Sequence, residues 1–162
     1  SVDVVVDFLK SKGIENVIVE IGGELFALGK NTVENKNWVV GIDNPLQTPE
    51  ERKLIARVNL ENLGMATSGN YRKVMVDKKT GEKFVHIINP KTDYSSTTNI
   101  LSVTVISENC IEADAYATAL QLMSIDEIAI LANKNSDISI FIIYYDDNNE
   151  MKDASFNDFP SI

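Results

Sequence analysis

The stretch CIEADAYATALQLM, Cys110 to Met123, sets Asp114 and Thr118 four residues apart among small side chains. On a helix that spacing puts both on one face, with their oxygens able to converge on one point. Both are hard oxygen donors of the kind that Mg2+ or Ca2+ takes. The same pair admits a purely structural use, in which Asp114 offsets the positive end of the helix and Thr118 bonds back to a carbonyl. Ala113, Ala115, Ala117 and Ala119 around the pair leave room for something bulky to approach. His86, the one histidine of the chain, ends a strand pattern in KFVHIINPKTDY, where it could titrate near neutrality or simply pack. Arg72 carries a planar fork suited to phosphate or carboxylate, although surface arginines are common. Taken singly, Gly22-Gly23-Glu24 reads as a bulge and MATSGNYR as a polar turn.

The rest of the chain must position these groups, and its composition limits what they can meet. At 162 residues, 44% of them hydrophobic, it is long enough for one sizeable core and too short for two comfortable domains. Its 24 acidic against 15 basic residues give a net charge of -9 and a pI near 4.6. Such a field repels polyphosphate backbones, which excludes nucleic acid as an expected partner. A phosphate-bearing ligand would need local help from a metal ion, a well-placed cation or a helix N-terminus. Cys110 stands alone, so no internal disulfide can form and a buried structural thiol is expected. No run reaches the roughly 18 apolar residues that span a bilayer. The opening SVDVVVDFLKSKG lacks signal-peptide character, so any targeting piece would already have been removed.

Val2, Val5, Val6 and Leu9 recur at helical spacing up to Gly13, which predicts a first helix over Asp3 to Lys12. NVIVEIGGELFALG alternates apolar residues around Gly22-Gly23, as two strands meeting at a bend would. WVVGID and KLIARVNLEN extend this into a β-meander, interrupted by the NPLQTPEER loop. GMATSGNYRKVMVDKKTGEKFVHIINP predicts a small-residue turn and then a hairpin that turns at Lys79-Thr80-Gly81. Another strand is expected over Asn99 to Ser107. Asn109 with Glu112 forms an Asx variant of the capping box ahead of a helix over Ile111 to Met123. Ser124 with Glu127 starts a short helix ending near Asn133 to Asn135, ISIFIIYY is a buried strand, and the Asp- and Asn-rich tail is a loop or a final edge element.

In this order the segments resemble the ApbE-type flavin transferases, the FAD:protein FMN transferases. The similar stretches are VEIGGELFALGKN with WVVGIDNP, then MATSGNYR, then HIINPKTDY, then SVTVIS running into CIEADAYATAL, and they cover nearly all of the chain. The resemblance implies FAD bound with a divalent metal, usually Mg2+, at its diphosphate. It implies transfer of the FMN half to a Ser or Thr hydroxyl of a target flavoprotein, with release of AMP. Asp114 and Thr118 match the metal ligands of the family's A-D-A-x-A-T motif. His86 with Ile87 and Ile88 matches a segment that lies along the flavin and diphosphate, and His86 would activate the acceptor hydroxyl or orient the phosphate. Thr67, Ser68, Gly69 and Arg72 match a loop expected beside the cofactor, and Gly22, Gly23 and Glu24 are carried over as cofactor-binding. The family also implies a place in the bacterial cell envelope, periplasmic or as an extracytoplasmic membrane-anchored lipoprotein.

The sequence departs from the family pattern in one loop. Asn89 stands where many members have Asp, Asp93 where a glycine is usual, and Ser95 where a proline follows the tyrosine, so a differently shaped loop is expected. Family members are about twice as long, and SVD resembles the end of a K-G-x-x-V-D segment. The chain is therefore expected to be one domain, residues 1–162, forming the C-terminal portion of a transferase whose N-terminal half completes the FAD pocket. The resemblance implies an α+β fold, T-fold-like, with helices packed on an antiparallel sheet. The expected function is Mg2+-dependent FMN transfer. A non-catalytic flavin-binding module and a hydrolase giving FMN and AMP are the alternatives.

Overall fold

The structure is a computed structural model that describes residues 1–48, 51–69, 74–76, 83–85, 88–89, 93–95 and 98–161. Helix α1 (Val2–Ser11) leads into strands β1 (Val17–Ile21) and β2 (Glu24–Leu28). β3 (Trp38–Asp43), β4 (Leu54–Leu60) and β5 (Leu63–Gly69) follow, then two short hairpins, β6 (Val74–Val76) with β7 (Lys83–Val85) and β8 (Ile88–Asn89) with β9 (Tyr94–Ser95). β10 (Ile100–Ser107), α2 (Cys110–Leu120), α3 (Ile125–Lys134), β11 (Ser139–Tyr145) and β12 (Met151–Phe156) complete the order. The turn expected at Lys79-Thr80-Gly81 lies outside the described residues. Among the described residues, no helix is long and apolar enough to cross a membrane.

Six strands form an antiparallel sheet in the order β1-β2-β5-β10-β11-β12. Because side chains alternate along a strand, each face of this sheet acquires its own core. Ala66, Val103, Val105, Ile140 and Ile142 meet Ala113, Ala117 and Leu120 of α2 and Ile128 and Ala132 of α3 on one face. Leu25, Ala27, Met65, Ile106, Phe141 and Ile143 meet Ile42, Val58 and Leu60 on the other. α1 joins the helical layer through Val2 and Val6, which pack with Phe26, Leu28 and Cys110. The α+β architecture expected from the sequence is thus realised as helices, sheet and hairpin in three layers.

The meander expectation requires correction. Among the described strands, β3 and β4 pair only with each other, apart from an isolated bridge from Val58 to Ser161, and their hairpin folds over the sheet. β2 already has β1 on one edge and β5 on the other, so no edge remains for β3. The inward residues Ile42, Val58 and Leu60 gain burial by covering a face instead. A second correction concerns GMATSG, read as a turn but found in the interior strand β5, paired on both sides. Its small residues reflect a close approach: a Cβ on Gly64 would stand 2.6 Å from the backbone carbon of Asn109. Strand β5 has no room for side chains where the start of α2 crosses it.

The predicted punctuation holds where it is local. Gly22 and Gly23, with φ of 72° and 109°, make the two-residue turn between β1 and β2, where a left-handed backbone is needed at both positions. Ser124 and Glu127 form the full reciprocal box at α3. Asn109 accepts from the Glu112 N–H at 2.8 Å, yet the Glu112 carboxylate takes the Ser107 hydroxyl instead of the cap backbone. Ser107 is buried at the end of β10, so its hydroxyl needs an acceptor and Glu112 is in reach.

Cys110 is only 4% exposed and its thiol donates to the Leu25 carbonyl at 2.9 Å. Burial, reinforced by the charge of Asp3, pushes the thiol pKa up from an ordinary 9.0 to about 12. The folded thiol therefore keeps its proton over a range in which the unfolded one loses it, so stability is intact below about pH 9 and falls from there toward about pH 12. Urea melts at about pH 8 and about pH 10.5 should show this decline, and in Cys110→Ala the decline should be shallower. An equal pH dependence in both proteins would count against the assignment.

Candidate active site

Helix α2 runs across β5 from its start, where Gly64 lies against Asn109, to its end, where Gln121 meets Ser68. Along it, Ala113 and Ala117 are fully buried against the sheet while Asp114, Ala115, Thr118 and Ala119 are exposed. Only two of the four alanines therefore leave open space beside the candidate ligands. The other two let the helix sit close to the strand.

The structural use of Asp114 as partner to the helix N-terminus is already filled by other residues. Asp3, from the first turn of α1, accepts the N–H of Cys110 at 2.8 Å and that of Ile111 at 2.9 Å. Asn109 takes the Glu112 N–H. The three leading amides are thus satisfied, and Asp114, a full turn further on, has no hydrogen-bond or ion-pair partner among the described residues. Thr118 does not bond back to its own helix either. Its hydroxyl lies 3.0 Å from the hydroxyl of Ser68. If Thr118 donates that bond, the lone pairs of its oxygen remain available to a cation.

The turn Gly22-Gly23 lies at the same end of the sheet as Thr67–Gly69, because Leu25 is paired with Met65 in antiparallel register. Two clefts, one on each face of the sheet, are lined by residues near that turn. One, of about 360 Å³, is lined by Glu24, Asp114, Ala115, Ile111 and Cys110 with Ser1 and Val2. The other, of about 330 Å³ on the hairpin side, is lined by Gly23, Thr67, Glu20, Asp43 and Arg52 among apolar residues. In that cleft the Asp43 carboxylate, 2.9 Å away, raises the pKa of the exposed Arg52 guanidinium.

Strand alternation separates the predicted triplet. Thr67 faces the hairpin side and shares a 2.9 Å bond with Thr104, whereas Ser68 faces α2. Of that triplet, the Ser68 side chain joins the Asp114 and Thr118 face. Ile88 is 62% exposed, so an apolar surface is available on β8. His86, Ile87 and Arg72 lie outside the described residues. Asp93, which stands where a glycine is usual in the family pattern, adopts φ of 61° in the left-handed region that glycine favours and Asp tolerates.

Asp114 and Thr118 fit a divalent cation by their chemistry: a carboxylate and a hydroxyl, exposed, on one face, with a second carboxylate, Glu24, lining the same cleft as Asp114. No cluster of three or more His, Cys, Asp or Glu is present among the described residues. Sequence reasoning missed Gln121. Its Nε2 donates to the Ser68 carbonyl at 2.6 Å, it is 0% exposed, and its Oε1 has no partner among the described residues. An orphaned buried acceptor costs about 1–3 kcal/mol. The signal was present in the spacing, since residues 114, 118 and 121 share one helical face.

Comparison with known proteins followed the same line. The sequence profile of the ApbE family matches residues 1–142. The FAD:protein FMN transferase of Haemophilus influenzae is 37% identical over 147 residues, 91% of this chain and 41% of the relative. That of Vibrio cholerae is 35% identical over 161 residues, 99% of this chain and 47% of the relative. Among solved structures, the flavin transferase ApbE from Vibrio cholerae superposes with a TM-score of 0.78 at 33% identity, covering 98% of this chain and 48% of that one. The ApbE protein from Thermotoga maritima gives 0.76 at 25% identity, covering 93% and 47%. The chain spans about half the length of the relatives it matches.

Proposed function

The chain belongs to the ApbE family, and on that premise we propose that it carries the cation-binding part of an FAD:protein FMN transferase site. The substrates are FAD and a Ser or Thr hydroxyl of a target flavoprotein, and the products are the flavinylated protein and AMP. The observation that carries the proposal is the freedom of Asp114: the helix N-terminus is capped by Asp3 and Asn109, and this exposed carboxylate has no hydrogen-bond or ion-pair partner among the described residues.

Asp114 and Thr118 would hold the cation, the first through its charge and the second through a hydroxyl oxygen whose proton would turn toward the Ser68 hydroxyl 3.0 Å away. Held there, Mg2+ would neutralise charge on the diphosphate and support the phosphoryl-transfer state. His86, neutral, takes the proton from the acceptor hydroxyl as its oxygen forms a bond to the FMN phosphorus. The bond from that phosphorus to the bridging oxygen breaks, and AMP leaves with the oxygen. With a net charge of -9 the protein's own field opposes the ligand, and a cation at the diphosphate would offset that repulsion. The family resemblance extends the proposal to an envelope location and to an N-terminal half that completes the FAD pocket.

Incubating the longest native form of the protein with FAD, Mg2+ and an acceptor peptide tests this reading. Flavin bound covalently to the peptide, with AMP released in equal amount, is the expected result. Free FMN with AMP and an unmodified peptide would assign hydrolysis instead, and unchanged FAD would leave a flavin-binding module.

A further inference from the structure

We propose that Gln121 is a positioning residue for the cation pair: its amide holds the Ser68 carbonyl, which keeps the Ser68 hydroxyl on Thr118 and leaves the Thr118 oxygen open beside Asp114. The inference rests on the cation-binding role proposed above and extends it to residues that touch no ligand. It starts from an imbalance in the core. Gln121 is fully buried beneath the end of α2, where its neighbour Leu120 packs into the main apolar cluster. An apolar side chain of the same length would fill that space without stranding a carbonyl. The amide instead keeps Oε1 unpartnered among the described residues, which packing alone does not explain.

What the amide gains is the 2.6 Å bond from Nε2 to the Ser68 carbonyl. Ser68 is next to last in β5, opposite Val103 of β10, and its side chain faces α2. The anchored Ser68 brings its hydroxyl to 3.0 Å from that of Thr118. A hydroxyl ligand is useful to a hard cation only when its proton is directed away, and the Ser68 hydroxyl, able to donate or accept in this pair, is placed to take it. The chain of contacts therefore runs from Gln121 through Ser68 to Thr118, the arrangement by which outer partners orient metal ligands.

The test measures Mn2+ binding directly, by paramagnetic resonance of free Mn2+ in the presence of FAD, in the full-length protein. Gln121→Met keeps the length and apolar volume of the side chain and removes the amide. It should raise the Mn2+ dissociation constant on the order of 10-fold while moving the melting temperature by no more than about 3 °C. Ser68→Ala should act similarly, and the double variant should be no weaker than the worse single one, because both cut the same relay. Asp114→Asn serves as the reference. If it weakens Mn2+ binding but Gln121→Met or Ser68→Ala does not, or if their effects multiply, the positioning role is overturned and the cation site stands. If Asp114→Asn changes nothing, the cation site fails and this inference fails with it. Should Gln121→Met fold poorly, Ser68→Ala decides alone, since an unchanged dissociation constant there breaks the relay.

Discussion

Asp114→Asn should abolish most Mg2+-dependent turnover while leaving the fold untouched. The amide is nearly isosteric with the carboxylate but is a poorer ligand for a hard cation. Loss of a partner that merely supports a metal ligand typically costs 10–100-fold in affinity, so loss of a directly ligating charge should cost at least on the order of 10²-fold. Stability should hardly change, because Asp114 is exposed and has no hydrogen-bond or ion-pair partner among the described residues. Surface changes of that kind usually stay within about 0.5 kcal/mol. The Mg2+ concentration giving half-maximal rate and the thermal melt, measured on the same preparation, separate the two effects. Normal activity at unchanged Mg2+ demand would return Asp114 to an idle surface carboxylate.

His86→Gln should cost transfer on the order of 10²–10⁴-fold, the range for removing a positioned general base, with FAD and Mg2+ affinity retained. In the parent protein a base role requires neutral imidazole, so the rate should rise through a pKa of roughly 6.5 and level off above it. A cationic clamp on the diphosphate would give the opposite slope, falling as pH climbs through that range. The base role is favoured because a bound divalent cation disfavours a second positive charge close by. Asn89 also removes one competing carboxylate from the same segment. A collapse of FAD affinity in His86→Gln, with the pH profile of the residual rate unchanged, would reassign His86 to binding.

Much of this molecule is written locally. The Gly22-Gly23 turn, the Asn109 and Ser124 caps that begin α2 and α3, the helical periodicity of α3, and the strands over Ile100–Ser107 and Ser139–Tyr145 all follow from interactions within a few residues. Local chemistry can be read without knowing what packs on it. The pairing of Asp114 with Thr118 was legible for the same reason, since a four-residue spacing on a helix is a geometric fact. The buried state of Cys110 followed from its type and isolation.

The assignments that only the tertiary structure made involve partners distant in sequence. Asp3 caps a helix more than a hundred positions away, which released Asp114 from that duty. Gly64 and Ala66, small residues that resemble a turn, belong to a central strand because α2 must lie close above it. The β3–β4 hairpin left the meander because both edges of β2 were taken. Thr67 and Ser68, adjacent in sequence, went to opposite faces of the sheet, and Gln121 acquired its meaning only when the Ser68 carbonyl arrived beneath it. Propensity and spacing act along the chain and determine which elements form and what each can present. Burial, edge pairing and the satisfaction of polar groups act between elements, so they decide which of those groups become free to work.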